Sequence, residues 1–308
     1  MIALLGHIAR HGRYGLVIGL LAGLALPDLA LVLKAWLPEM IGILLFLTAL
    51  RIGARQAFGS VGALGQTLRV LCVYQLVLPS LALAVFWAFG LAATPVALVV
   101  VLALAAPPIT GSPNFSILLG HDPAPALRLL VVGTAVFPIT VLPVFWMLPV
   151  LGSATAALAA SAWLMTVIAV SVAAGFAVRR AAFRNPDADT IHAIDGLTVI
   201  MLAVIVVGLM SALGPAIRMQ PSVFGLWLLL AVSLNFGMQI LAHGVLRETP
   251  SRVPVSIIAG NRNVALFLVA LPAQITDPLL IFIGCYQLPM YLTPILLRRL
   301  YVRRSVSA

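Results

Sequence analysis

Ten stretches of mostly apolar residues, most of them long enough to cross a lipid bilayer, follow one another along this chain of 308 residues. A hydrocarbon core asks for about 20 apolar residues in a helix, and windows of that size fall on ten segments. In the first half these are residues 14–33, 36–50, 70–91, 95–119 and 129–150; in the second they are 154–178, 196–213, 223–246, 254–271 and 279–297. Backbone N–H and C=O groups cannot stay unpaired in hydrocarbon, so each stretch must close its own hydrogen bonds as a helix. The period-two alternation of an outer-membrane barrel is missing. With 63% hydrophobic and 8% charged residues, the chain has too much apolar surface for a soluble domain to hide. The expected fold class is an all-α membrane protein of ten transmembrane helices.

Charge placement sets the orientation. With ten spans, one face collects Arg10, Arg13, Arg51, Arg55, Arg69, Arg128, Arg179, Arg180, Arg184, Arg247, Arg252, Arg298, Arg299, Arg303 and Arg304, while the other holds Lys34 and Arg218. The positive-inside bias puts both termini on the cytoplasmic side, and the expected location is a bacterial inner membrane. These arginines read as topogenic and lipid-facing, so the net charge of +10 implies a lipid bilayer as partner and no nucleic acid. The first apolar segment lacks a small-residue cleavage site, so no cleavable signal peptide is expected. Cys72 and Cys285 both lie in apolar segments, which indicates neither a disulfide framework nor a cysteine metal site.

The segments divide as five plus five, and a repeat with an odd number of spans inverts its own orientation. The halves, 1–150 and 151–308, are offset by roughly 150 residues, so Val70 pairs with Val223, Leu129 with Leu279 and Asn114 with Asn263. In matching places each half carries a polar interruption: Pro107-Pro108-Ile109-Thr110-Gly111-Ser112-Pro113-Asn114 in segment four, and Gly260-Asn261-Arg262-Asn263 in segment nine. Such runs persist in hydrocarbon only where they line a cavity or bury in protein. Pro108 and Pro113 are each expected to interrupt segment four, with Gly111 letting the chain leave helical geometry. That places Thr110, Ser112, Asn114 and Ser116 near the midplane as candidate ligands; a proline kink with back-bonded hydroxyls is the plainer alternative. An arginine at mid-span costs about 2.5–3.5 kcal/mol on insertion scales, so Arg262, flanked by Asn261 and Asn263, needs an internal polar partner. Gln75, Thr134, Thr140, Asn235, Gln239 and Gln287 are weaker candidates, since small polar residues often only join helices. The glycosylation pattern Asn114-Phe115-Ser116 falls inside a span and is set aside.

Several of these stretches resemble the bile acid:sodium symporter family. They are the Pro-rich break with Ser112 and Asn114, the run Val132-Gly133-Thr134-Ala135-Val136 with Pro138, the run Tyr74-Gln75-Leu76-Val77-Leu78-Pro79, and Gly260 with Asn263. The ten-span layout covers the whole chain, whereas the residue matches are confined to these stretches. The resemblance implies a panel of helices 1, 2, 6 and 7 and a core of helices 3–5 and 8–10, with helices 4 and 9 broken and crossing. It implies substrate near the crossing, sodium behind it, crossover asparagines at Asn114 and Asn263, and sodium-site residues at Gln75 and Thr134. The chain departs from the pattern in four places. Pro113 and Leu130 stand for serine ligands, Ile258 for a glutamate shared by both sodium sites, and Arg262 for a glutamine. No cofactor is expected, no metal site is assigned, and sodium is doubtful; Asn114, Thr134 and Gln75 read as vestiges of its sites.

Losing an acid and gaining a base shifts the formal charge by +2 relative to that pattern. A poorly screened interior so altered repels sodium. Arg262 then reads as a tethered cation, joining the crossing and offering a two-pronged hold to a carboxylate or sulfonate. The expected function is secondary transport of a small organic anion by alternating access, without the family's sodium coupling. An organic-anion or metabolite exporter and a non-transporting membrane sensor are the alternatives. A membrane enzyme is disfavoured, because neither a His-Glu-x-x-His run nor paired intramembrane aspartates occur. The histidines His7, His11, His121, His192 and His243 and the acids Asp28, Glu39 and Asp277 sit near segment ends, which leaves no buried proton relay in view.

Overall fold

The computed structural model describes residues 2–58, 64–247 and 249–301. Its α-helices begin with α1 (Ile2–Arg10), α2 (Gly12–Ala25), α3 (Pro27–Lys34), α4 (Leu37–Phe58), α5 (Leu64–Cys72) and α6 (Leu78–Ala88). They continue with α7 (Pro95–Ala105), α8 (Ser112–Leu118), α9 (Ala124–Met147), α10 (Ala154–Ala182), α11 (Ala188–Leu209) and α12 (Leu213–Met219). The last are α13 (Pro221–Val245), α14 (Arg252–Gly260), α15 (Phe267–Ala270), α16 (Ala273–Thr276), α17 (Leu280–Leu296) and α18 (Arg298–Tyr301). Among the described residues no strand occurs. Six helical stretches are long and apolar enough to cross a membrane, seven if α2 and α3 count as one bent span. The protein is an all-α membrane protein that crosses the bilayer several times.

Three expected spans are broken or short. Segment four is α7 and α8 with a gap between them, segment nine is α14 followed by short turns, and segment ten is the 17-residue α17. The first expected span is not straight: α2 and α3 meet at 107°. Pro27 causes this, because it lacks an N–H and pushes Leu26 out of helical geometry, to φ −119° and ψ 69°. Pro113 does not interrupt a helix as expected. It sits in the first turn of α8, where its missing N–H has no intrahelical role. Pro138 and Pro143, by contrast, lie inside α9 without ending it.

The chain divides into two compact units. The first comprises residues 1–64, 151–224 and 265–284, and so contains expected spans one, two, six and seven. In it α4 packs on α10 and α11, while α1 and α2 pack on α11. Helix α4 is kinked at Gly53, whose φ of 72° is open mainly to glycine. The kink strands carbonyls, and Arg179 Nη1 donates to Leu50 O and Arg51 O at 2.9 and 3.1 Å. Arg51 itself pairs with Asp195 at 2.8 Å, and Lys34 with Asp277 at 2.9 Å. Two arginines read as lipid-facing therefore tie α4, α10 and the start of α11 together. Arg303 and Arg304 lie outside the described residues, as do the side chains of Arg13 and Arg55.

The second unit comprises residues 65–150, 225–264 and 285–308, with expected spans three, four, five and eight and the first part of nine. Its apolar centre includes Leu71, Tyr74, Ala126, Leu129, Val255, Ile258 and Ala259. Between α5 and α6 the backbone widens into a π-turn at Val73–Val77, with Leu78 N–H reaching Val73 O. Pro79 explains it: with no N–H for Gln75 O and a ring that crowds that carbonyl, the ordinary ladder cannot continue. Tyr74 and Gln75, both in this turn, are buried.

Candidate functional site

Helix α7 ends because Pro107 and Pro108 have no N–H to give the carbonyls of Ala103 and Leu104. Ala106, preceding a proline, turns to ψ 147°. Helix α14 ends without proline. Asn261 folds its amide back so that Nδ2 donates to Ile257 O at 2.8 Å, the carbonyl that already takes its backbone N–H. The two extended stretches then pair as a short antiparallel bridge with Pro108 opposite Arg262. Ile109 N–H donates to Asn261 O at 3.2 Å and Asn263 N–H to Pro107 O at 2.8 Å. This pattern uses the carbonyl before Pro108 and the N–H after it and nothing from Pro108 itself, so a proline fits there at no loss. Buried backbone in hydrocarbon demands such pairing, and the two breaks supply it to each other.

Arg262 lies across this bridge and is 2% exposed. Its Nε donates to Ala259 O and its Nη1 to Ala106 O, both at 3.1 Å, while the guanidinium carbon stands 4.7 Å from the centre of the Tyr74 ring. Both carbonyls belong to helix ends, Ala259 in the last turn of α14 and Ala106 at the C-cap of α7. Helix C-termini carry partial negative charge, so two of them face one cation. Charge-assisted bonds contribute about 1.5–3 kcal/mol each and a desolvated cation–π contact about 2. Together these exceed the roughly 2.5–3.5 kcal/mol of bringing an arginine to mid-span. No acidic side chain is needed, and among the described residues none pairs with it. Among the described residues Nη2 has no partner, nor has the hydroxyl of Ser112, which is fully buried at the start of α8. Because Nε is engaged, the side-on fork of Nε with Nη2 is closed to an anion, and the two-pronged hold expected from sequence reduces to Nη2 with its own hydrogens.

A second buried network backs the end of α14. Asn235 Nδ2 and Tyr286 Oη both donate to Gly260 O. Gln239 Nε2 donates to Asn235 Oδ1 at 2.7 Å and to Thr293 Oγ1 at 3.0 Å. The single Thr293 proton is shared between Asn261 Oδ1 at 3.3 Å and Pro289 O at 3.1 Å. Tyr301 Oη donates to Gln239 Oε1 at 3.0 Å, and His121 Nε2 donates to Tyr301 O at 2.9 Å. Gly260 permits this closeness. A Cβ there would lie inside contact distance of Asn235 O and 2.7 Å from Gln239 Cγ.

The expected site residues therefore part company. Asn261, Arg262 and Asn263 meet Pro107–Ile109 at the bridge, Asn263 through its backbone. Ser116 Oγ only back-bonds to Ser112 O at 3.2 Å, the plainer alternative for that residue. Thr110 is half-buried in the break, and Asn114 is exposed on α8 and joins none of these bonds. Gln75 belongs to a third cluster: its Nε2 donates to Gly133 O at 3.1 Å and its Oε1 accepts from Thr140 at 3.0 Å. Thr134, next to Gly133 in α9, is half-buried, and Gln287 is buried in α17. Ile258, at the position of the expected glutamate, is fully buried among apolar side chains. Sequence reasoning passed over Tyr286, Thr293 and Tyr301; the one signal was Asn235 and Gln239 at i, i+4, which puts two amides on one face of α13. No family model matches the chain, and no curated protein does.

Proposed function

We propose that the protein is a secondary carrier of a small organic anion that works by alternating access without sodium coupling, and that it is a divergent relative of the bile acid:sodium symporter family. In this reading ten spans form two inverted five-helix repeats, 1–150 and 151–308, whose fourth and ninth helices are the broken pair. The observation that carries it is the bridge between the breaks with Arg262 across it. Discontinuous helices that meet within the membrane are how secondary carriers expose polar groups at mid-bilayer. Segregation of expected spans one, two, six and seven from three, four, five and eight supports a panel-and-core arrangement.

Coupling follows from the charge. Carbonyls at the ends of α7 and α14 are the kind of group that would coordinate a metal cation, and here the guanidinium engages Ala106 O and Ala259 O. An apolar Ile258 supplies no acid to offset a second positive charge. The residues present do not suit sodium. A fixed cation at the crossing favours an anionic substrate, and Nη2 and Ser112 Oγ are the donors left to receive one. The test is uptake of a panel of labelled carboxylates and sulfonates by liposomes holding the purified protein. Saturable uptake of at least one, reduced far more by Arg262→Gln than by Arg218→Gln, is expected. Uptake of every anion at the level of empty liposomes sinks the proposal.

A further inference from the structure

The second unit holds a cavity of about 260 Å³ away from the crossing, walled by the starts of α5, α9 and α14. Its polar lining is Gln66, His121, Asp122, Arg128 and Ser251. Arg128 and the neighbouring loops belong to the arginine-rich face of the sequence, which the positive-inside bias assigns to the cytoplasm. Four of these groups have a defined condition. Asp122 Oδ1 accepts from Ala124 N–H at 2.9 Å and so is engaged in capping α9. His121 Nε2 donates to Tyr301 O, which fixes the ring against the wall. Ser251 stands at the N-cap of the nine-residue α14, yet its hydroxyl makes no capping bond. Among the described residues Arg128 makes no ion pair. The cavity therefore presents, among the described residues, a guanidinium with no ion pair and a serine hydroxyl with no capping bond, while the Asp122 carboxylate is partly occupied.

We propose that this cavity is an oxyanion-binding site, in which Arg128 and Ser251 hold the oxygens of a phosphate or carboxylate group. A guanidinium offers paired N–H donors at the spacing of two such oxygens. The size suits a head group rather than a drug-sized ligand, whose sites run to roughly 300–1,000 Å³. A smaller cavity that shares Gln66, Pro125, Arg128 and Ser251 with it reaches Leu129 and Val255. One layer further in, Tyr74 Oη donates to Val255 O at 3.4 Å and the Tyr74 ring lies under Arg262. Within the carrier reading, and resting on it, the site is a vestibule that loads an anion one aromatic layer from the crossing. The binding itself does not depend on transport.

The test uses the full chain in nanodiscs and two sources of the same chemistry. In phosphatidylcholine discs, equilibrium binding of inorganic phosphate is expected to saturate, to weaken at least tenfold in Arg128→Gln, to weaken in Ser251→Ala, and to stay unchanged in Arg218→Gln. If a lipid head group is the natural occupant, phosphatidylglycerol in the disc instead abolishes phosphate binding and raises the melting temperature, and Arg128→Gln removes that rise; this too supports the site. Arg128→Lys, which keeps the charge and loses the fork, covers the case in which Arg128→Gln does not fold, and a loss of affinity is expected there also. Phosphate affinity indifferent to Arg128 and Ser251, or neither phosphate binding nor a phosphatidylglycerol effect, overturns the proposal. A protein that moves no anion in liposomes but binds phosphate through Arg128 would sink the carrier reading and leave this one standing.

Discussion

Substituting Gly260 by alanine adds one methyl at the tightest approach of α13 and α14. That methyl would fall inside contact distance of Asn235 O and 2.7 Å from Gln239 Cγ, so the helices must separate or the bridge must shift. Overpacking of this kind costs about 1–3 kcal/mol. Separation also loosens the Asn235 bond to Gly260 O, at about 0.5–1.5 kcal/mol. The sum is about 1.5–4.5 kcal/mol of destabilisation. Gly237 on α13 is the control, because a Cβ there meets nothing within 4 Å. Relieving a glycine inside a helix stabilises it by up to about 1 kcal/mol, so Gly237→Ala should move the other way. Reversible unfolding in mixed detergent micelles, followed by circular dichroism, measures both. Equal stability of Gly260→Ala and Gly237→Ala would refute the close packing that holds Asn235, Gln239 and Asn261 in place.

Three further outcomes follow from the same geometry. Tyr301→Phe removes the donor to Gln239 Oε1 and is expected to cost about 1–3 kcal/mol in the same unfolding assay; a neutral result would contradict the buried seat of Tyr301. Asn261→Ala should cost a similar amount, about 1–3 kcal/mol, because it strips the Ile257 and Thr293 partners, whereas exposed Asn114→Ala should stay within about 0.5 kcal/mol. At the start of α11, hydrogen bonds from Thr190, side chain first and then backbone, hold the Asp187 carboxyl below the usual carboxylate range. A depressed pKa gives stability above the unfolded value and loses it as pH falls through the folded one. Amide exchange at Thr190, corrected for intrinsic rate, should therefore accelerate only at acid pH in the wild type, and Asp187→Asn should flatten that dependence.

The membrane class was legible because apolar run length and arginine asymmetry are direct consequences of hydrocarbon solvation. The break in segment four was legible too, since Pro107-Pro108 removes two consecutive donors, although Pro113 proved to start a helix rather than interrupt one. Arg262 announced a buried partner, but sequence could not say which. Its acceptors are backbone carbonyls, which every residue carries. The resemblance favoured Asn114 and Gln75 as site residues, yet Asn114 is exposed and Gln75 is engaged with Gly133 and Thr140. Neither Thr293, within segment ten, nor Tyr301, beyond its end, carries a signal in sequence, because their partners, Asn261 and Gln239, lie 32 and 62 residues away. The π-turn had a local cause in Pro79, but a proline alone does not reveal whether a helix kinks, widens or, as at Pro138 and Pro143 in α9, continues.

In the proposed mechanism the Arg262 guanidinium stands where a metal cation would otherwise be needed. The most direct measurement is the initial rate of anion uptake into liposomes as external sodium is raised from zero, with choline keeping ionic strength constant, in the wild type and in Arg262→Gln. The expected wild-type rate is flat across the sodium series, while Arg262→Gln is slow at zero sodium. A wild-type rate that climbs steeply with sodium would contradict the role given to Arg262.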